Sequence, residues 1–406
     1  MKKLKFVSGV VVSILCIMAF TANAVSALTI NEAVESISER LVNDQIIEGN
    51  KTGTWLAEAD FTGSIVAGLV DAYELTSESS YKDSAELGGN YILWSAWETF
   101  FYGDEAYALT RLSEISDDPN DNPWREALND FYWFVKTDPG GTQDYIDRFV
   151  GTEPSNAVFY IAHNVVAAYY VDAEDKEIWR QELIDWLSLV DDDTSEYPVM
   201  ALGVATWALA KTGPLDETLI DSSGEGAAYW ENKKLEDLPF LILANQVPDG
   251  QPGEGSFYWK FQHSEGDPNN YTEDAVFATL GLVAASQVIP DPNINLDPDI
   301  TAAREALLNG ISSEGEVYEN LSQEGALYYT YSGEMLQVLR ALHILGDANL
   351  DGQVDLTDLE MLVLNWQASD CSQSCWCEGA DINRDGEVNT DDLQILMDNW
   401  LKGKTD

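Results

Sequence analysis

The chain has 406 residues, with 71 Asp or Glu against 21 Lys or Arg, and a formal net charge of −50. So few cations cannot neutralise a phosphate backbone, which excludes nucleic acid as a partner. The same field repels polyanionic substrates unless bound calcium or a local basic pocket intervenes.

The chain opens on Lys2, Lys3 and Lys5, an apolar run from Phe6 to Phe20, and then Ala22-Asn-Ala24 and Val25-Ser-Ala27. A basic start, an apolar middle and small residues mark 1–27 as a secretory signal peptide. The run is too short for a membrane anchor and lacks a basic stop-transfer flank. No later stretch is long and apolar enough to span a bilayer. The expectation is a secreted protein, extracellular or attached to a cell surface, with no stable membrane insertion once the signal is removed.

Residues 28–345 read as helix throughout. Stretches 61–75, 104–115, 155–171, 197–211, 272–286 and 332–345 are small and apolar nearly all round. Stretches 31–43, 81–97, 122–136, 174–190, 235–247 and 297–309 carry one apolar stripe at i, i+3, i+4 spacing. The two kinds alternate strictly. Helices apolar all round are buried, and one-stripe helices cover them. Six buried and six covering helices describe an all-α fold, an (α/α)6 toroid of six hairpins over 28–345. An open α-solenoid of helix pairs is the alternative, disfavoured because the count stops at six pairs. Small residues such as Ala67, Gly68, Ala167, Ala168, Ala201, Gly203 and Gly281 would let the inner ring pack closely.

One loop, 248–271, is longer than its neighbours. Its Gln251-Pro-Gly-Glu-Gly255-Ser-Phe257 resembles the Gln-x-x-x-Gly-x-Trp repeat of terpenoid-cyclase and prenyltransferase toroids, with Phe in place of Trp. In those folds the Gln caps a helix end and the aromatic stacks on it. There is one copy, no Asp-rich acid motif, and no Cys in the body to complete an Asp-Cys-His zinc site. The resemblance supports a toroid and not terpene chemistry.

Toroids of this kind work at the mouth where loops enter the inner helices. Glycoside hydrolysis needs two carboxylates across the scissile bond, one with a raised pKa. Acids near inner-helix starts are Glu58, Asp60, Asp104, Glu105, Glu153, Glu196, Asp267, Glu273 and Asp274. The expected pair is Asp60 with Glu273 or Asp274, set against a plain capping role, since acids favour helix N-termini. His263, beside Trp259, Phe261 and Glu265, is the candidate for proton transfer or substrate contact. His163 points either into the ring's centre or into a satisfied core contact. Arg148 could steady a substrate anion or bridge to Asp144 or Asp147. Trp55, Trp124, Trp230, Phe257, Tyr258 and Trp259 could stack on sugar faces, whereas Trp94, Trp133, Trp186 and Trp207 read as core.

The last stretch is the most explicit. Asp347, Asn349, Asp351, Asp355 and Asp358 put side-chain oxygens at positions 1, 3, 5, 9 and 12 of a loop, with Gly352 at position 6. Asp381, Asn383, Asp385, Asn389 and Asp392, with Gly386, repeat the design 34 residues later. This is the EF-hand calcium arrangement, in which Gln353 and Glu387 at position 7 offer backbone carbonyls. Asp stands where position 12 usually has a bidentate Glu. Val354 and Val388, at position 8, would pair the two loops and face a small core. Leu359, Leu362, Asn365 and Trp366 recur as Leu393, Leu396, Asn399 and Trp400, so one short helix follows each loop.

This duplicated loop-helix unit resembles the type I dockerin domain, here 346–406. The resemblance implies two calcium ions and a cohesin-bearing partner, contacted through Leu356, Thr357, Thr390 and Asp391 at positions 10 and 11. Cys371, Cys375 and Cys377 lie between the loops. In an oxidising compartment Cys371–Cys377 is the preferred disulfide and Cys371–Cys375 the rival. Zinc is a poor fit, with three crowded thiols and no nearby His. Dockerin-bearing proteins are most often enzymes of polysaccharide breakdown. The expectation is therefore a secreted component of an extracellular polysaccharide-degrading complex, its toroid a glycoside hydrolase or polysaccharide lyase acting on a polysaccharide or oligosaccharide. The alternative is a non-catalytic toroid that binds or assembles.

Overall fold

The computed structural model describes residues 28–402, apart from 57–60, 96–100, 102, 119–120, 264–269, 290–293, 351, 370, 372–375, 378 and 384. The expected signal peptide, Glu58, Asp60, Glu265, Asp267, Asp351 and Cys375 lie outside the described residues.

The inner helices are α2 (Thr62–Thr76), α4 (Gly103–Glu114), α7 (Pro154–Tyr170), α9 (Pro198–Thr212), α11 (Thr272–Val288) and α13 (Tyr329–Leu342). Between them run α1 (Ile30–Asp44), α3 (Ser79–Ser95), α5 (Pro123–Thr137), α6 (Gly141–Phe149), α8 (Lys176–Leu187), α10 (Leu238–Leu243) and α12 (Asp297–Asn309). The apolar pattern decides which helix goes where. In α9 every residue from Pro198 to Ala210 is buried. In α5 only Trp124, Leu128, Phe131, Tyr132 and Val135 are, a single stripe. Asn122 starts α5 by accepting the Arg125 N–H at 3.0 Å, with Pro123 next to it.

The inner helices pack in a closed cycle: α2 on α4, α4 on α7, α7 on α9, α9 on α11, α11 on α13, and α13 back on α2. Small residues permit the close approach. Gly68 lies against Gly333, where a Cβ would come within 2.3 Å of a carbonyl oxygen. Contacts between their first turns, Asp104 with Ser64, Glu153 with Glu196, Asp274 with Met200 and Gly333 with Ser64, gather the inner N-termini at one end, the mouth. Among the described residues no helix is long and apolar enough to cross a membrane.

Several expectations need correcting. The helix expected over 235–247 shrinks to a 3-10 turn, Leu235–Asp237, and α10. Its far end is recruited into a joint described below. The sequence reading also missed α6, hidden behind Gly140-Gly141, and a hairpin of β1 (Tyr318–Asn320) and β2 (Glu324–Leu327). Trp94 and Trp133, read as core, are 65% and 67% exposed on α3 and α5.

The Gln–Gly–aromatic joint keeps Gly255 and Phe257 but takes a different glutamine. Gln246, not Gln251, donates from Nε2 to the carbonyls of Gly255 (3.1 Å) and Asp299 (2.9 Å). Gln45 does the same to Gly53 (3.1 Å) and Ser84 (2.9 Å). Each Gln thus ties the end of one covering segment to the next covering helix, α12 or α3. Gly53 and Gly255 hold φ of +96° and +80°. A Cβ there would lie 2.2 Å from the Leu87 carbonyl oxygen and 2.4 Å from that of Ala302. Only glycine tolerates both the backbone and the contact. Trp55 and Phe257 follow two residues on, fully buried.

The tail carries α14 (Leu356–Leu364) and α15 (Thr390–Asp398) around its own core of Val354, Leu362, Cys371, Ala380, Val388 and Leu396. It sits where the inner helices finish, opposite the mouth. There a cleft of about 450 Å³ is lined by Leu75, Thr76 and Arg340 on one side and Trp376 and Asp381 on the other.

Candidate functional site

The two tail loops share a core set of hydrogen bonds. Asp347 Oδ2 accepts the Gly352 N–H at 2.7 Å, and Asp381 Oδ2 accepts that of Gly386 at 2.9 Å. Asp358 accepts the Asn349 and Asp355 N–H groups (3.3 and 2.8 Å), and Asp392 those of Asn383 and Asn389 (3.0 and 2.9 Å). Each helix is opened by the same capping box, from Asp355 to Asp358 and from Asn389 to Asp392. The position-12 carboxylates thus accept N–H groups of their own loops. A family model described as Dockerin type I domain matches residues 345–400.

The tail is a type I dockerin domain. No curated protein matches the chain. Within the dockerin, Asp347, Asp358, Asp381 and Asp392 are at most 1% exposed. Burial, then the charges of Asp392 and Asp385, push the Asp381 carboxyl above its ordinary value. A bound cation would reverse that repulsion. The donors are all hard oxygens, and Gly352 and Gly386 make the position-6 turn at φ +86° and +95°. The residues fit calcium. Among the described residues no three His, Cys, Asp or Glu side chains gather as a cluster by themselves. Calcium would supply the positive charge on which these oxygens converge.

Cys371 and Cys377 form the preferred disulfide. Leu356, Thr357, Thr390 and Asp391 are all exposed, Leu356 by 71%. Val354 and Val388 do not pair with each other, contrary to expectation, though both face the dockerin core.

At the mouth, several of the expected acids accept N–H groups at helix starts. Asp274 Oδ1 accepts the Met200 N–H at 2.9 Å, and Asp104 Oδ2 accepts that of Ser64 at 3.1 Å. Each caps the neighbouring inner helix. Glu153 caps α7 through Ser155 and Asn156 and reaches across to the Glu196 N–H at 3.1 Å. Burial raises Asp104 to about 6. Burial and then Glu273 hold Asp274 well above the usual carboxylate range.

Glu273, only partly buried, keeps no such capping bond, and burial raises it to about 7. Its charge reaches the hydroxyls of Tyr197 on α9's entry and Tyr331 on α13. Glu334, 1% exposed, acts on Tyr331 as well. The sequence reading missed it, although an acid inside an otherwise apolar inner stretch was an available signal.

The other expected residues scatter. His163 resolves to a core contact within the cycle. Its Nδ1 stands 2.9 Å from the Phe159 carbonyl. Rings of Phe159, Trp207, Tyr107 and Phe277 surround it at 4.6 to 6.0 Å. Burial pushes its pKa down to about 4. His263 is exposed and stacked on Tyr258 at 3.7 Å. Trp259 is partly buried, with Lys260 Nζ 4.5 Å over its ring. Arg148 pairs with Asp138 at 2.6 Å, and its Nε donates to the Asp144 carbonyl at 3.0 Å. Trp55 donates Nε1 to the Leu41 carbonyl at 2.8 Å, and it and Phe257 are buried completely. Neither ring offers a face to a sugar.

Proposed function

We propose that this chain is cargo for an extracellular, cellulosome-like assembly, docked by calcium-dependent pairing of its dockerin with a cohesin-bearing protein. The observation that supports this most is the shared hydrogen-bond pattern of the two loops, which leaves positions 10 and 11 exposed in both. Leu356 and Thr357 from one half, and Thr390 and Asp391 from the other, form the contact surface. Export by a cleaved leader over 1–27 and a boundary near residue 346 belong to the same reading. Binding to an immobilised panel of type I cohesins, with calcium and with chelator, tests it. Wild type should bind only with calcium, and Asp347→Ala with Asp381→Ala should not bind. Undiminished binding in chelator would sink the calcium-dependent reading.

The body is in this reading an (α/α)6 toroid, supported by the closed cycle of inner helices, and it acts on a glycan at the mouth. Glu273 is the acid. Burial raises its pKa above the usual carboxylate range, which favours the protonated form that a proton donor to a leaving group requires. A non-catalytic binding module is the second reading, favoured by the aromatic packing around His163 that fills the cycle's centre. Reducing-sugar release from a panel of plant and algal glycans decides between them. Release by wild type that drops at least about a hundredfold in Glu273→Gln supports hydrolysis. No release from any glycan leaves the module.

A further inference from the structure

The two calcium loops are near copies, yet the body touches them unequally. Arg304 on α12 donates from Nη1 to the Gly352 carbonyl at 2.9 Å. Its guanidinium lies so close that a Cβ on Gly352 would meet Nη1 at 3.0 Å. Asn31, in the first turn of α1, donates its N–H to the Leu350 carbonyl at 3.4 Å. His343, at the end of α13, stands with Nε2 3.2 Å from the Asp347 carbonyl. Three helices of the body therefore hold three carbonyls of the first loop. The second loop's hydrogen bonds all stay within the dockerin among the described residues. Asp381 and Ile382 face the body only across the 450 Å³ cleft.

An acidic loop without its ion is opened by self-repulsion, which is why metal binding and folding are coupled in such sites. A guanidinium fixed at the loop opposes that repulsion whether or not calcium is present. We propose that Arg304 is a standing counter-cation for the first loop, so that the body orders this loop without calcium and the ion is needed to fold only the second. Arg304 is then a positioning residue for the dockerin. One half stays seated on the body, while the other half answers to the ion. This inference rests on the calcium reading above.

Amide hydrogen exchange of the full chain, with calcium and with excess chelator, tests it. In wild type, chelation should cost residues 381–392 at least about tenfold in protection and residues 346–358 less than about threefold. Arg304→Gln should make 346–358 as sensitive to chelator as 381–392, with the inner helices exchanging as in wild type. Arg304→Lys, which keeps the charge, should restore most of the protection. The proposal is overturned if both wild-type loops lose protection together, or if Arg304→Gln leaves 346–358 protected in chelator. If neither loop responds to calcium, the calcium reading falls first and this inference with it. Those outcomes are distinct in the same experiment.

Discussion

Leu401 donates its backbone N–H to the Val354 carbonyl at 2.9 Å, and Gln367, 34 positions earlier, donates to Val388 at 3.0 Å. Each loop's position-8 valine is thus paired with the chain leaving the other loop's helix. The two halves are interlocked, and the valines themselves meet only as core neighbours. Val354→Ala or Val388→Ala should therefore weaken calcium binding at both loops, not at the mutated one alone. Removing two buried methyl groups costs about 2 kcal/mol. Calorimetric calcium titration of each variant checks this. Loss confined to one ion would contradict the interlock.

The covering joints make a second prediction. Gln246 satisfies two carbonyls at once, so Gln246→Ala should leave both short of a donor and destabilise the body by about 1–3 kcal/mol. Gln251 is exposed, and Gln251→Ala should stay within about 0.5 kcal/mol of wild type. Urea unfolding of the two variants separates them. Equal midpoints would mean that the joint does not support the fold.

Gln251 also shows how far the sequence could be read. The Gln-x-x-x-Gly-x-aromatic spacing was recognisable, but spacing cannot tell which glutamine reaches two carbonyls 9 and 53 residues away. The alternation of all-apolar and one-stripe helices was legible because burial acts on every residue of a helix. The loop ligands were legible because calcium fixes their order along the chain. What stayed hidden depended on long-range placement. Asp274 and Glu273 are adjacent and alike in sequence, yet one caps α9 and the other does not. Trp55 looked like a sugar platform because it lies in a loop, but that loop folds under α3 and buries it.

His163 gives a prediction in pH. Burial pushes it from 6.5 down to about 4, so the folded chain resists a proton that the unfolded chain accepts. Its contribution is complete above pH 6.5 and is lost as pH falls from there toward 4. The slope is at most about 1.4 kcal/mol per pH unit. His163→Gln should lie below wild type at neutral pH, having lost its aromatic contacts, and show a shallower decline on acidification. Melting temperatures from pH 7 to 4 provide the comparison, and parallel curves would rule out His163 as the source.

Glu273 works in the opposite direction. Burial raises it from 4.5 to about 7, so across that window the folded chain holds a proton that the unfolded chain has released. Unfolding then releases the proton, and stability from this group is complete below pH 4.5 and declines as pH rises toward 7, again by at most about 1.4 kcal/mol per unit. Glutamine mimics the protonated acid without titrating. Glu273→Gln should therefore gain on wild type in melting temperature as pH climbs from 5 to 8. Asp274→Asn is a control of another kind, because Asp274 also accepts the Met200 N–H at 2.9 Å; an asparagine oxygen can replace that acceptor but not its charge. If the mouth hydrolyses a glycan, the same proton sets the alkaline limb of the rate, with release falling above about pH 7. A rate that keeps rising through pH 8 while the Glu273→Gln stability difference follows the expected course would leave Glu273 a half-buried acid with no part in the chemistry.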